Sequence, residues 1–321
     1  MKTYIINKVS AGRTLGRYLE KQLPGAPESL LHKALRNNKI KLNGKKPADL
    51  KVRLEEGDEL RLFFTDDQFA DFCASQKPSV SVSADPGFLE VAYEDENLVI
   101  FVKPAGVLSQ KGGTDALSAN EYGLAYLNQQ GIGLTGDFVP GVLNRLDRNT
   151  TGLILMAKNL AAAQRVSAML ADHSLGKYYQ AIVSGKPDWP EKKLTAFWTK
   201  DSEKNTAAVS AEESEGAKSV SLIARRLSAS EDRSLIEVKL LTGKSHQIRA
   251  QLSAEGHPLV GDYKYGFRTA VPEEKQLMLC ACKLVFPDIP EGDILADLSL
   301  KTVEIPLPPF MKHYAEKKGL L

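Results

Sequence analysis

The middle of this chain contains a series of short apolar runs that are rich in β-branched and aromatic residues. These runs lie at Val99–Val102, Leu153–Met156, Tyr179–Val183, Ser219–Ala224, Leu235–Leu241 and Leu277–Phe286. Their length and composition are typical of buried strands. Helical patterns interrupt the series at residues 159–172 and 245–254. Such a chain predicts an α+β domain built on a mixed, mostly antiparallel sheet with flanking helices and loops.

The first 64 residues differ from the rest of the chain in charge. They hold 14 Lys or Arg and 7 Asp or Glu, whereas the remaining residues hold 28 and 33. A small basic unit in front of a mildly acidic body is the charge distribution of a module that binds polyanions. A solvated, lysine-rich face would give the same count.

Two helices are predicted within this basic unit. Leucines recur at every fourth residue from Leu15 to Leu23, which predicts a helix with one apolar face that ends at Pro24. Apolar residues from Leu30 to Leu35 predict a second helix that begins near residue 27.

A strand at residues 39–42 leads into Asn43-Gly44, a dipeptide typical of tight hairpins, and another strand is expected at residues 60–64. With the segments at 14–19, 39–44 and 56–58, this order resembles the small RNA-binding domain first seen in a ribosomal protein, often called the alpha-L fold. The resemblance implies a small α/β RNA-binding domain over residues 1–64. The basic residues expected to contact RNA there are Lys33, Arg36, Lys39 and Lys41.

Residues 65–86 are predicted to be a linker, because their Lys/Pro/Ser-rich end can bury little apolar surface. The larger domain is then expected at residues 87–321. No apolar run reaches the roughly 18 to 20 residues of a membrane span, and the first residues lack an apolar stretch of secretory-signal length. We therefore expect a cytoplasmic protein without membrane attachment, and a monomer, since no long coiled-coil pattern is present.

One segment, Asn144–Gly152, places a carboxylate near two guanidinium groups. Arg145 and Arg148 lie on either side of Asp147. Such neighbours favour the ionised carboxylate, which can act as a nucleophile or a general base. On spacing alone, a surface ion pair before a buried strand is the simpler interpretation.

A second segment, Gly243–Arg249, leads from a strand into a helix through a glycine. Free backbone N–H groups at a helix N-terminus suit a phosphate. His246 and Arg249 are three residues apart and share a helical face. Arg249 has the geometry to pair with a carboxylate such as Asp147, or with a phosphate.

Four groups of residues, taken in order, resemble the RluA-type family of pseudouridine synthases. They are Tyr93–Leu98 with Lys103–Gly106; Arg145-Leu146-Asp147-Arg148 with Thr150–Gly152; Lys177–Ala181 with Gly185; and Gly243–Arg249 with Gly256–Pro258 and Gly261–Asp262. The likeness spans about residues 88–287. It implies the fold of that family and an enzyme that detaches uracil from its ribose in RNA and reattaches it through carbon.

The resemblance also implies roles for individual residues. Asp147 aligns with the catalytic aspartate of the family, and Arg249 with the arginine that pairs with it. Tyr179 aligns with the tyrosine whose ring stacks on the target base, although a strand tyrosine by itself would be read as a core residue. The residues expected to contact RNA in this domain are Arg145, Arg148, Lys244 and His246.

The chain departs from the family pattern at two positions. Asn144 replaces the His that commonly precedes the aspartate motif, and Thr151 stands where Ser is commoner. Asn still donates and accepts hydrogen bonds, and Thr keeps the hydroxyl. These changes put the details of loop contacts or substrate choice in doubt and leave the carboxylate in place.

The reaction is redox-neutral and needs no group donor, so no cofactor or metal is expected. Large-subunit ribosomal RNA is the expected substrate, with transfer RNA as an alternative. A non-catalytic RNA-binding or ribosome-assembly factor is a rival interpretation. A metal-dependent nuclease or phosphatase is another, but it would require clustered ligands, and the five histidines are scattered along the sequence.

Overall fold

A computed structural model of the chain describes residues 1–6, 10–74, 84–112, 116–132, 138–201 and 206–321. The chain divides into two compact units, residues 1–79 and residues 80–321. No helix within the described ranges has the length and apolar character that a membrane span requires.

Within its described residues, the first unit combines three helices with a three-stranded antiparallel sheet. Its elements are β1 (Lys2–Ile5), α1 (Leu15–Gln22), α2 (Glu28–Arg36), β2 (Ile40–Leu42), β3 (Glu59–Leu62) and α3 (Asp66–Ala74). Strand β3 lies between β1 and β2. The predicted apolar face of α1 is confirmed, because Leu15 and Leu19 are completely buried in the core of this unit.

Asn43 and Gly44 form a tight turn, with φ of 51° and 75°. A single bridge between Leu42 and Lys45 closes the turn, with backbone hydrogen bonds of 2.8 and 3.0 Å, but the strand that pairs along β2 is β3. The side chain of Asn43 explains this pairing, because its Oδ1 accepts the N–H of Glu59 at 2.9 Å and its Nδ2 donates to Asp58 at 2.7 Å. The turn residue thus holds the beginning of β3 beside β2.

The segment predicted to be a linker begins instead with helix α3. The rings of Phe69 and Phe72 pack edge-on against Phe64, at centroid distances of 5.7 and 5.3 Å. Two aromatic residues three positions apart fall on one helical face, and here that face completes the core of the first unit. Residues 75–83 of the predicted linker lie outside the described residues.

The second unit is built on one large sheet. Its strands are β4 (Glu90–Glu94), β5 (Leu98–Lys103), β6 (Thr151–Ala157), β7 (Gly176–Ser184), β8 (Glu191–Asp201), β9 (Thr206–Ser210), β10 (Lys218–Ala229), β11 (Arg233–Leu240), β12 (Leu279–Val285) and β13 (Thr302–Glu304). Its α-helices are α4 (Ala119–Gln129), α5 (Leu160–Ala171), α6 (Gln247–Ala254) and α7 (Pro309–Lys317).

Within the described residues, the strand order is β4-β5-β6-β12-β7-β11-β10-β8-β9, with β13 paired to β12. The pair β6 and β12 is parallel, and the other pairs are antiparallel. The predicted α+β class and the mixed, mostly antiparallel sheet are therefore confirmed. The six predicted strands are present, with ends shifted by a few residues, whereas β4, β8, β9, β13, α4 and α7 were not predicted.

Helices cover both faces of the sheet. Alternate residues of β6 point to opposite faces of the sheet. Leu153 and Leu155 pack with α5, and Ile154 and Met156 pack with α4. On β7, Ala181 joins the cluster that includes α6. This last cluster also contains Leu146 and Tyr179, so the predicted site residues lie on the α6 side of the sheet.

Gly152 brings the start of β6 against β12. Its φ is 123°, and a Cβ at this position would lie 2.3 Å from the carbonyl oxygen of Ala281. A side chain would therefore push the two strands apart. This close approach sets the loop before β6, which carries Asp147, beside the middle of the sheet.

Candidate active site

Asp147 lies in the short loop that precedes β6. The loop turns tightly, because the N–H of Thr150 donates to the carbonyl oxygen of Asp147 at 3.1 Å. Asn144 ties the loop to the strand: its Nδ2 donates to the carbonyl oxygen of Leu153 at 3.2 Å, and its Oδ1 accepts the N–H of Leu155 at 2.8 Å. The side chain of Asp147 is 25% exposed, so a substrate can reach it.

Ser109 fixes the residue next to this carboxylate. The N–H of Leu146 donates to Oγ of Ser109, and the Ser109 hydroxyl donates to the carbonyl oxygen of Leu146, both at 2.9 Å. Two reciprocal hydrogen bonds leave the backbone at Leu146 little freedom. The position of Asp147 is therefore determined on both sides of its Cα.

Lys103, at the end of β5, connects two loops next to the site through hydrogen bonds. Its buried Nζ donates to the carbonyl oxygens of Pro104, Val107 and Arg148 at 2.9, 2.8 and 3.1 Å. Burial lowers the pKa of Lys103 to about 8, although the charge of Asp147 acts in the opposite direction. The lysine thus connects the loop after β5 to the residue that follows Asp147.

Arg249, on α6, lies between two carboxylates. Its Nε and Nη2 donate to the two oxygens of Asp262, each at 2.7 Å, and its Nη1 donates to Oδ2 of Asp147 at 3.1 Å. Burial disfavours the charged guanidinium, but the hydrogen bonds and charge of Asp262, helped by Asp147, raise the pKa of Arg249. The bidentate pair holds the guanidinium plane in one orientation.

Gly261 allows Asp262 to reach this arginine. It has a φ of 82°, and a Cβ there would lie 2.0 Å from the carbonyl oxygen of Gln276. The side chain of Asp262 is completely buried as a result of this close packing.

Tyr179 lies on β7, on the face of the sheet that carries α6, and is 9% exposed. Burial, and after it the charge of Asp147, raise the pKa of Tyr179. The phenol is therefore neutral at physiological pH, and its ring is held close to the carboxylate. The ring of the preceding residue, Tyr178, instead contacts the ammonium groups of Lys239 and Lys283.

His246 immediately precedes α6 and also faces the carboxylate. Its Nε2 lies 3.7 Å from Oδ2 of Asp147, and its Nδ1 lies 2.9 Å from the hydroxyl of Tyr265. Its backbone is left-handed, with φ of 57° and ψ of 15°, and this is why α6 begins at Gln247 and not at residue 245 as predicted. The arginine of the site, Arg249, also stacks on the Tyr265 ring at 4.9 Å.

The structure brings together Asp147, Tyr179, Arg249 and His246 among the residues singled out from the sequence. Arg145 and Arg148 are exposed on the same loop as Asp147, and Nε of Arg148 donates to the carbonyl oxygen of Gly106 at 2.9 Å. Lys244 lies half-buried in the turn before α6.

The basic residues predicted for RNA binding in the first unit lie on or near two of its elements. Lys33 and Arg36 are exposed on α2, and Lys39 and Lys41 are half-buried at β2. The described ranges contain no group of three or more His, Cys, Asp or Glu side chains arranged to hold a metal ion.

Sequence reasoning gave no role to four residues that organise the site: Lys103, Ser109, Asp262 and Tyr265. Lys103 and Asp262 fall within quoted segments, and the glycine before Asp262 was a usable signal, because a buried Gly often marks close packing. Ser109 and Tyr265 carry no such local signal.

Residues 97–254 match a family model described as RNA pseudouridylate synthase. A Rickettsia bellii protein named ribosomal large subunit pseudouridine synthase C is 31% identical over 288 residues, which cover 87% of this chain and 91% of the relative. This chain belongs to the RluA-type family of RNA pseudouridine synthases. It is accordingly an isomerase that acts on RNA.

Further relatives agree with this membership. The Zymomonas mobilis protein named ribosomal large subunit pseudouridine synthase D is 33% identical over 180 residues, or 56% of each chain. The solved structure of human RNA pseudouridylate synthase domain containing 4 covers 72% of this chain and 94% of its own, with a TM-score of 0.59 and 21% identity. That similarity shows a shared fold and confirms the predicted pseudouridine synthase architecture.

Proposed function

We propose that this synthase converts specific uridines of large-subunit ribosomal RNA to pseudouridine, with Asp147 as the catalytic carboxylate. The observation that carries the proposal is the 3.1 Å contact between Asp147 and Arg249, residues 102 positions apart in the chain, beside the buried ring of Tyr179. The choice of ribosomal RNA is supported by the names of the Rickettsia and Zymomonas relatives.

Oδ1 of Asp147 is the oxygen that we assign to the substrate. Arg249 and His246 both approach Oδ2, and within the described ranges no side chain or backbone group donates a hydrogen bond to Oδ1. A carboxylate held through one oxygen presents the other in a defined direction.

The target uridine must leave its stack to reach this carboxylate, as in other enzymes that act on a base. Tyr179 then offers its neutral ring as a stacking surface, a contact worth about 1–3 kcal/mol per base. The exposed Arg145 and Arg148 flank the entrance on the loop of Asp147 and are proposed to contact the RNA.

The bonds of the reaction balance within one nucleotide. The N1–C1′ bond breaks, the C5–C1′ bond forms, the C5 proton passes to solvent and N1 gains a proton. Asp147 either attacks C1′ or removes a proton from the neighbouring sugar carbon, and both routes need an ionised carboxylate. No electron or group is supplied from outside, so we propose that the reaction needs no cofactor.

The first unit is proposed to bind RNA phosphates through its basic side chains, in a protein that acts as a cytoplasmic monomer. Changing Lys33, Arg36, Lys39 and Lys41 together to Gln should weaken RNA binding and flatten its salt dependence. Each lost phosphate contact removes about 0.7–0.9 from the slope of log affinity against log salt. An unchanged slope in the full-length variant would contradict this role.

Tritium release from RNA labelled at uracil C5 tests the proposal directly. The wild-type protein should release tritium from unmodified ribosomal RNA, and Asp147→Asn should lower the rate at least about a hundredfold. Asp188→Asn, which changes an exposed carboxylate, is the matched control and should keep the wild-type rate. Release from transfer RNA alone would reassign the substrate, and an active Asp147→Asn variant would exclude the proposed mechanism.

A further inference from the structure

A chain of polar contacts links strand β9 to the candidate catalytic carboxylate. The backbone N–H of Ala207 donates to the phenolic oxygen of Tyr265 at 2.7 Å, and that oxygen lies 2.9 Å from Nδ1 of His246. On the other side of the imidazole, Nε2 lies 3.7 Å from Oδ2 of Asp147. The chain therefore ends on the carboxylate oxygen that Arg249 also contacts.

The contacts of Tyr265 favour one of the two tautomers of the neutral imidazole. Because the phenolic oxygen accepts the N–H of Ala207, its own hydroxyl proton is available for donation. In the part of the chain that the structure describes, Nδ1 of His246 is the group placed to accept that proton. The imidazole proton then resides on Nε2. The charge of Asp147 favours the same tautomer, since an N–H directed at a carboxylate is attracted and a lone pair is repelled.

We propose that His246 is a positioning residue, which donates from Nε2 to Oδ2 of Asp147 and, together with Arg249, leaves Oδ1 for the substrate. The inference rests on the proposed catalytic role of Asp147. It replaces the expectation that His246 contacts RNA. At 3.7 Å the contact is long in the free protein, and we expect it to shorten when the substrate closes the site.

The backbone around His246 supports this role. A left-handed conformation with φ of 57° is uncommon for a residue with a side chain and is often retained where it serves a site. The preceding residue is fixed as well, because Nε1 of Trp198 donates to the carbonyl oxygen of Ser245 at 3.0 Å. The imidazole is thus held from both its ring and its backbone.

The charged side chains that face the imidazole are Asp147, Arg249, Lys264 and Asp262. Burial lowers the pKa of His246 below its usual value, against the opposing effect of Asp147. The neutral form is therefore present at neutral pH. Protonation at lower pH turns Nδ1 from an acceptor into a donor, so Tyr265 can no longer donate to it, and the imidazolium charge makes Asp147 a weaker base and nucleophile. The reaction rate should therefore fall as pH falls through this pKa.

The tautomer can be measured without any activity assay, by ¹⁵N NMR of the imidazole groups in the full-length wild-type protein near neutral pH. His257 is an internal reference, because its Nδ1 lies 3.0 Å from the carbonyl oxygen of Ser184 and must donate to it. We expect the proton on Nε2 in His246 and on Nδ1 in His257. A proton on Nδ1 in His246 would overturn the proposal.

Single-turnover kinetics on the RNA substrate test the role itself. His246→Ala should slow the reaction about tenfold or more with RNA affinity unchanged, whereas His246→Gln, whose amide can still donate, should recover most of the rate. The ratio of wild-type to His246→Gln rates should fall as pH falls through the pKa of His246, because Gln does not titrate. If the whole loss of rate in His246→Ala came from weaker RNA binding, the proposal would be overturned. An active Asp147→Asn variant would instead refute the proposed function.

Discussion

Asp262→Asn should be one of the most damaging single substitutions in the site, although the side chain of Asp262 is completely buried. The change removes the buried charge that holds Nε and Nη2 of Arg249 at 2.7 Å. Breaking a buried ion pair costs about 3–5 kcal/mol, because the remaining charge is uncompensated. Asp147 still lies 3.1 Å from the guanidinium, so we expect the lower end, about 3 kcal/mol.

Tryptophan fluorescence during guanidinium denaturation is the suitable measurement. The two tryptophans of the chain, Trp189 and Trp198, both belong to the second unit, so the signal reports on that unit alone. Tritium release should also slow at least about tenfold, because Arg249 is free to turn towards Asp147 and occupy both of its oxygens.

Asp232→Asn provides the matched control. Asp232, whose side chain is 51% exposed, pairs with Arg233 and Lys318 at 3.2 and 3.1 Å, and an exposed carboxylate in such a pair contributes about 0–1 kcal/mol. If Asp262→Asn and Asp232→Asn lowered the free energy of unfolding equally, the proposed role of the buried pair in holding Arg249 would be refuted.

Three further predictions concern other parts of the second unit. In denaturation experiments, Gly261→Ala should destabilise this unit by at least about 2 kcal/mol, because the new Cβ adds backbone strain and clashes with Gln276. Gly256→Ala is the control: it has a similar φ and no atom within 4 Å, so it should cost about 1 kcal/mol. Burial opposes ionisation of Glu274, but hydrogen bonds from three neighbours lower its pKa to about 2. This carboxylate therefore stabilises the fold at pH values above its usual pKa of 4.5. The wild-type protein should be more stable than Glu274→Gln there, and this difference in the free energy of unfolding should disappear as pH falls from 4.5 to about 2. A difference that stays constant with pH would contradict this. Lys103→Met leaves three carbonyl oxygens without their donor. In thermal denaturation it should lower the stability by about 2 kcal/mol, and it should slow tritium release several-fold.

The helices and strands were largely predictable because their signals are local. The leucine repeat of α1 and the apolar runs of β5, β6 and β7 reflect the repeat distances of helices and strands themselves. Helix α3 was missed because polar residues around Phe69 and Phe72 resemble a linker until the first core is assembled around them. The start of α6 was missed because the left-handed backbone of His246 has no sequence signature of its own.

The sequence by itself determined the chemistry that is available: an ionisable Asp147 between arginines, a strand tyrosine, an arginine at the start of a helix, and a basic first unit. Tertiary structure decided which of these groups meet and through which atoms. Arg249 reaches Asp147 across 102 residues, and Tyr265 sets the orientation of His246. Residue types and their periodicity follow from neighbours along the chain, whereas partners, tautomers and close approaches depend on how the strands are ordered in the sheet.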